Sequence, residues 1–200
     1  LLATPHWRNR LLPTDGRIDR DHSVLLVVDV QAKLAPHILD HEALGDRIAA
    51  LIQAAKRFRI PRLATEHCAE QIGPLVEALR GEFELNEIFG KTRFGATDHR
   101  EFLDRLGQTG RRQVVVAGIE AHVCVMQTSL GLAAHDYDVF VVADAVGSRG
   151  ERQADRGLAL ERLRKAGCTL VGTETVLFEW TRAGDDAAFR DVLKLVKSLP

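Results

Sequence analysis

Five short, mostly apolar runs, each set off by stretches of helical periodicity, constrain this chain more than any other feature. They are Val24–Val30 (VLLVVDV), Arg62–Thr65, Val114–Ala117 (VVVA), Val139–Ala143 (VFVVA) and the shorter Thr169–Val171. A weak further strand is expected near residues 84–89. A strand with one wet face alternates apolar and polar residues. A continuous apolar run needs cover on both faces, as in a parallel sheet flanked by helices.

The intervening stretches supply that cover. Leu44, Ile48, Leu51, Ile52, Ala55 and Phe58 recur on one helical face. Leu158, Leu160, Leu163 and Ala166 form a second such set, stopped by Gly167. Phe189, Val192, Leu193, Val196 and Leu199 make a closing amphipathic helix, and Glu101–Leu106 a shorter one. Strands alternating with helices mean βαβ units with right-handed crossovers. With no repeat, linker or low-complexity segment, residues 23–200 read as a single α/β domain. Residues 1–22 hold two Pro, four Arg and no long apolar run. They read as a surface arm, or an arm that packs on a partner subunit, and not as a signal peptide.

The 200 residues carry 27 basic and 28 acidic side chains, a formal net charge of −1. That balance argues against a nucleic-acid partner and a polybasic membrane anchor. No apolar stretch reaches the length that spans a bilayer. The three cysteines, Cys68, Cys124 and Cys168, have no metal-site spacing and do not form a disulfide framework, which fits a reducing, cytoplasmic compartment.

Open parallel sheets place their sites at the carboxyl ends of the strands, near the topological switch point. The first strand there presents Asp29, followed by Gln31. The VVVA strand runs into Gly118, Ile119, Glu120, Ala121, His122, Val123 and Cys124. A helix starting around His122 puts Cys124 in its first turn, where free N–H groups and the helix dipole favour a thiolate. If the strand order is 3-2-1-4-5-6, Asp29 and Cys124 face each other, and a carboxylate beside a thiol can act as its base. Lys91, in GKTRFGATDH (Gly90–His99), could reach both and stabilise developing negative charge. Its GKT looks like the end of a phosphate-binding loop, but Leu85 stands where that motif needs glycine.

Taken together, VVDVQAKL, GKTRFGA and GIEAHVCVMQT resemble the isochorismatase-like cysteine hydrolases, the family of nicotinamidases, N-carbamoylsarcosine amidase and isochorismatase. DVFVVADAVGSR and ERQADRGLALERLRKAGC fit the same pattern, and the resemblance covers residues 23–198. It implies a three-layer, doubly wound, mainly parallel six-stranded sheet and an Asp29–Lys91–Cys124 triad. It further implies a non-proline cis peptide near Ile119–Glu120 and an oxyanion hole from the backbone N–H groups of Glu120 and Cys124. The implied chemistry is C–N hydrolysis of a small-molecule amide through a thioester. Gln31 is expected to hold Asp29 by a hydrogen bond. Leu34, His67, Ile119 and His122 are expected around the pocket. By analogy with relatives, at least a homodimer is expected.

The chain departs from the nicotinamidase metal motif, an Asp-x-His after the second strand. His67 replaces the Asp and Ala69 the His. Glu66, His67 and Cys68 are neighbours that cannot all point one way, so neither metal nor other cofactor is expected. Ser148 and Arg149 read as the cap of the following helix. Two other functions stay open at this point: a catalytically silent binding or scaffold protein on the same fold, and a redox-active thiol protein in which only Cys68 could partner Cys124.

Overall fold

The computed structural model describes residues 16–200. The chain runs β1 (Ser23–Val28), α1 (His41–Arg57), β2 (Arg62–His67), α2 (Ala69–Ile72), α3 (Glu77–Arg80), β3 (Ile88–Lys91) and α4 (Arg100–Gln108). It continues with β4 (Gln113–Ile119), α5 (Met126–Ala134), β5 (Asp138–Gly147), α6 (Gln153–Lys165), β6 (Thr169–Val171), α7 (Thr173–Thr181) and α8 (Phe189–Ser198). The six strands form one parallel sheet in the order β3-β2-β1-β4-β5-β6.

Strand periodicity divides the core into two. Leu25, Val27, Val115, Ala117, Phe140 and Val142 point to one face, where they pack with Ile48, Leu51 and Ile52 of α1, Trp180 of α7 and Val192 of α8. Their neighbours Val24, Leu26, Val28, Val114, Val116, Val139 and Val141 point to the other face, against Phe102 and Leu106 of α4, Leu132 of α5 and Leu163 of α6. All six residues of β1 are buried. Burying a Val or Leu side chain contributes roughly 1.5–3 kcal/mol, so both layers of helices are held by the strands they cover.

Several boundaries differ from the sequence expectations, among them that β2 runs on to His67 and β4 spans Gln113–Ile119. β1 stops at Val28, because Asp29 takes a left-handed φ of 51° and leaves the sheet. The weak strand expected near 84–89 begins later, at Ile88, after a 3-10 turn over Leu85–Glu87. β5 extends to Gly147, past a register shift against β4 between Val116 and Gly118. Helix α7 was not foreseen, since its apolar stretch follows β6 with only Gly172 between them.

Residues 1–15, most of the expected arm, lie outside the described residues. Residues 17–22 lie against the body. Ile18 is buried and donates its N–H to the Glu179 carboxylate at 2.7 Å, and Arg20 pairs with Asp186 at 2.7 Å.

One glycine decides how the site forms. Gly118 sits opposite Val28 with φ of 127°, and a Cβ there would lie 2.1 Å from the Val28 carbonyl oxygen. Only glycine allows the ends of β1 and β4 to approach so closely. These are the strand ends from which Asp29 and the Cys124 turn emerge.

Candidate active site

The site lies at the carboxyl edge of the sheet, where β1 separates the strands added to its left from those added to its right. This is the switch point of a doubly wound fold. Three strands deliver its charged and nucleophilic groups. Asp29 follows β1, Lys91 ends β3, and Cys124 follows β4. All are buried, with exposures of 1%, 3% and 7%.

Lys91 Nζ lies 2.6 Å from Asp29 Oδ2. It also donates to the carbonyl oxygens of Arg93 at 3.2 Å and Phe94 at 3.0 Å. The ammonium group thus faces one carboxylate oxygen and two backbone carbonyls. The other carboxylate oxygen of Asp29 accepts from the Thr65 hydroxyl at 2.7 Å. Asp29 is thus fixed from both sides, by a cation on β3 and a hydroxyl on β2. The Cys124 thiol lies near enough to both groups that the Asp29 carboxylate and the Lys91 ammonium act on its proton in opposite directions.

Cys124 does not sit at the start of a regular α-helix. Ala121–Val125 form a π-helical turn ahead of α5. Glu120 caps it, its carbonyl accepting from Val123 N–H at 3.0 Å and Val125 N–H at 3.2 Å. The Ile119–Glu120 peptide bond is cis. The expectation of an acidified thiol is reversed. Burial, and then the negative charge of Asp29, push Cys124 up to about 12, with Lys91 acting in the opposite direction.

Gln31 is placed differently from its expected role. Its side chain donates to the carbonyls of His67 (3.0 Å) and Gly73, and accepts from His67 N–H at 2.8 Å. It therefore fastens the segments after β2, while Thr65, which the sequence did not single out, binds Asp29. Leu34 packs half-buried against the core on the α1 side of the sheet, and Ile119 is fully buried in that core. His67 lies half-buried at the end of β2, its ring 5.1 Å from that of Phe94. Burial, together with Lys91, holds His67 below its ordinary pKa. His122 Nδ1 lies 2.9 Å from Ser148 Oγ, and the Glu120 carboxylate accepts from Arg149 Nε at 3.0 Å. Arg149 does stand at the N-cap of the 3-10 turn Gly150–Arg152 that leads into α6, but it makes no side-chain cap bond; the side chains of Ser148 and Arg149 bind the cysteine turn instead.

The possible metal donors after β2 diverge. Glu66 accepts from Leu75 N–H and pairs with Arg80, and Cys68 takes a left-handed φ of 42° ahead of α2. Among the described residues, no three His, Cys, Asp or Glu side chains are placed to hold a metal ion. No helix among them is long and apolar enough to cross a membrane.

A doubly wound sheet with a buried carboxylate, ammonium and thiol at its switch point defines a class of α/β proteins with charged and thiol groups gathered at the carboxyl edge of the sheet. Comparison with known proteins narrows it: the family model described as the isochorismatase domain matches residues 23–175, and the chain belongs to this family. Isochorismatase domain-containing protein 2 of Danio rerio is 34% identical, over 90% of this chain and 90% of that protein. The solved structure of the MAR1 ribonuclease of Caenorhabditis elegans matches with a TM-score of 0.85 and 34% identity, over 92% of this chain and 94% of that one. YcaC of Escherichia coli, described as an octameric hydrolase of unknown specificity, matches with a TM-score of 0.81 and 28% identity, over 91% and 95%. Family membership supports a hydrolase-type function.

Proposed function

We propose that this chain is a cysteine hydrolase that cleaves a small-molecule amide or related C–N bond through Asp29, Lys91 and Cys124. The observation that carries the reading is a buried carboxylate paired at 2.6 Å with a buried ammonium, beside a buried thiol on which both groups act.

Asp29 takes the proton from Cys124 Sγ as the sulfur attacks the carbonyl carbon. The tetrahedral oxyanion is received by the backbone N–H groups of Glu120 and Cys124; one such donor is typically worth about 3–4 kcal/mol. Collapse breaks the C–N bond. Asp29 returns its proton to the departing nitrogen, leaving a thioester on Cys124. Asp29 then takes a proton from water as the water attacks the thioester carbon, and the thiol leaves with that proton. The products are an amine or ammonia and a carboxylic acid. Lys91 and Thr65 hold the carboxylate in place throughout.

The name of the C. elegans relative raises RNA as an alternative substrate. The buried triad and the net charge of −1 favour a small uncharged amide. The octameric description of the E. coli relative supports a homo-oligomer here too.

The test is amine or ammonia release from a panel of amides, ureides and N-carbamoyl compounds, with a single-stranded RNA alongside. Release from at least one small amide, lost in both Cys124→Ala and Asp29→Asn, is expected. No release above the Cys124→Ala background across the panel would count decisively against an amidase, and cleavage of the RNA alone would move the assignment to a nuclease.

A further inference from the structure

We infer that Arg149 and Ser148 form a clamp that positions the cysteine turn for acyl transfer. The catalytic half of the inference rests on the hydrolase reading above.

Ala121–Val125 form a single π-helical turn, a rare conformation found mostly as one turn against an α-helix and often at functional sites. Here two side-chain ties hold it. Glu120, whose carbonyl caps the turn, has a side chain only 10% exposed, and one of its carboxylate oxygens accepts from both the Arg149 N–H at 3.3 Å and Arg149 Nε at 3.0 Å. Two residues on, His122 bonds through Nδ1 to Oγ of the fully buried Ser148.

The other side of the clamp is fixed independently. Gly147 pairs with Ile119 at the end of the β4–β5 ladder. Arg149 forms an antiparallel bridge with Ile38, and Leu39 N–H donates to the Ser148 carbonyl at 3.2 Å. The turn that carries Cys124 is therefore braced, through residues 147–149, to the sheet and to the segment that follows β1. A brace of this kind matters for chemistry because a misplacement of about 1 Å at a reacting group can cost on the order of a hundredfold in rate.

Arg149 and Ser148 are positioning residues in this account. They act through Glu120 and His122 and take no part in bond making. The test compares the wild type with Arg149→Ala, Arg149→Lys and Ser148→Ala in two ways. The first is amide hydrogen exchange across residues 120–125. Arg149→Ala is expected to accelerate exchange there while leaving β1 and β4 protected, with Arg149→Lys between the two. Unchanged exchange in that turn overturns the clamp, whatever the protein hydrolyses. The second is Cys124-dependent acyl transfer, read as the burst of nitrophenol from p-nitrophenyl acetate and, where an amide substrate is in hand, as kcat and KM. For Arg149→Ala, a fall in acyl transfer of about tenfold to a hundredfold with KM within about twofold is expected. Alkylation of Cys124 by iodoacetamide, which needs no oxyanion site, should change far less. A looser turn with an unchanged burst overturns the link to catalysis. A wild type with no Cys124-dependent burst or turnover defeats the hydrolase reading instead, and the exchange data still decide the clamp.

Discussion

Lys91→Met isolates the electrostatic centre of the site. Lys91 and Asp29 are held at 2.6 Å with side-chain exposures of 0% and 2%. The exposed pair Lys165–Glu161 has the same separation, 2.6 Å, with exposures of 76% and 55%. Distance alone would rank the two pairs equal, but burial does not. Removing Lys91 strands a carboxylate left with only neutral neighbours, the Thr65 hydroxyl and the Cys124 thiol, and takes the donor from the carbonyls of Arg93 and Phe94. Breaking one side of such a buried pair costs about 3–5 kcal/mol. Removing one side of an exposed pair changes stability by less than about 1 kcal/mol. For a domain of this size, each kcal/mol moves Tm by roughly 2–4 °C, so Lys91→Met should melt on the order of 10 °C lower. Lys165→Met should stay within a few degrees of the wild type. The sign of the coupling is also fixed. Asp29→Asn removes the stranded charge, so the double variant Asp29→Asn/Lys91→Met should be more stable than the sum of the two single losses implies. Thermal and urea unfolding of the wild type and the four variants, followed by circular dichroism, reads all of this. Similar losses in Lys91→Met and Lys165→Met, or strict additivity in the double variant, would refute the reasoning.

Further consequences concern pH and backbone geometry. Burial pushes Cys168 up to about 11 from an ordinary 9.0, and Cys124 up to about 12. The unfolded chain therefore loses these protons first, and stability that is complete below pH 9.0 is lost as the pH rises towards 11 and 12. Cys168→Ala should flatten the part of this loss between pH 9.0 and about 11, as measured by urea midpoints across that range. His67 is held below its ordinary 6.5, so the unfolded chain takes up that proton first and stability falls as the pH drops below 6.5. His67→Gln should remove that portion of the acid slope, and an unchanged slope would show that the ring is not held neutral. At Gly118, an added methyl group meets the Val28 carbonyl at 2.1 Å, so Gly118→Ala should cost more than about 4 kcal/mol or prevent folding. In the exposed helix position of Gly157, where a Cβ meets nothing within 4 Å, Gly157→Ala should instead stabilise by roughly 0.5–1 kcal/mol in the same melting assay.

The fold was readable because burial on both faces leaves an unambiguous trace. Val24–Val28 and Val114–Ala117 are apolar at every position, and only a covered parallel strand requires that. Elements whose residues answer to tertiary contacts left a weaker trace. Helix α7 carries Trp180, the largest fully buried side chain among the described residues, yet its stretch TVLFEW has no polar face to mark a helix. The stop of β1 at Val28 depends on a left-handed Asp29, which nothing in VVDVQ announces. In the site, residue types in order were enough to select Asp29, Lys91 and Cys124. The supports were not legible. Thr65 looked like one more strand residue until the β1–β2 register brought it beside Asp29. Gln31 is two residues from Asp29 in sequence but bonds to the chain after β2. Ser148 and Arg149 read as a cap because their partners lie 26 and 29 residues away.

The Cys124 thiol shows how far local sequence logic carries. Placement at the head of a helix suggests a lowered pKa, whereas burial and the neighbouring Asp29 raise it to about 12. That rise measures the difficulty of creating a second buried anion by losing a proton to solvent. The proposed reaction does not do this. When the proton passes from Sγ to Asp29, the site holds one anion and the Lys91 cation both before and after. The carboxylate charge that opposes a thiolate disappears in the step that forms it. A thiol that is inert towards solvent can thus still be a competent nucleophile towards a substrate carbonyl, provided the base is in contact and the cation stays in place. The 2.6 Å pairing of Lys91 with Asp29, and the action of both on Cys124, fit that condition. A high thiol pKa and the proposed hydrolytic role are then compatible with one arrangement: three buried groups whose total charge need not change when the proton moves.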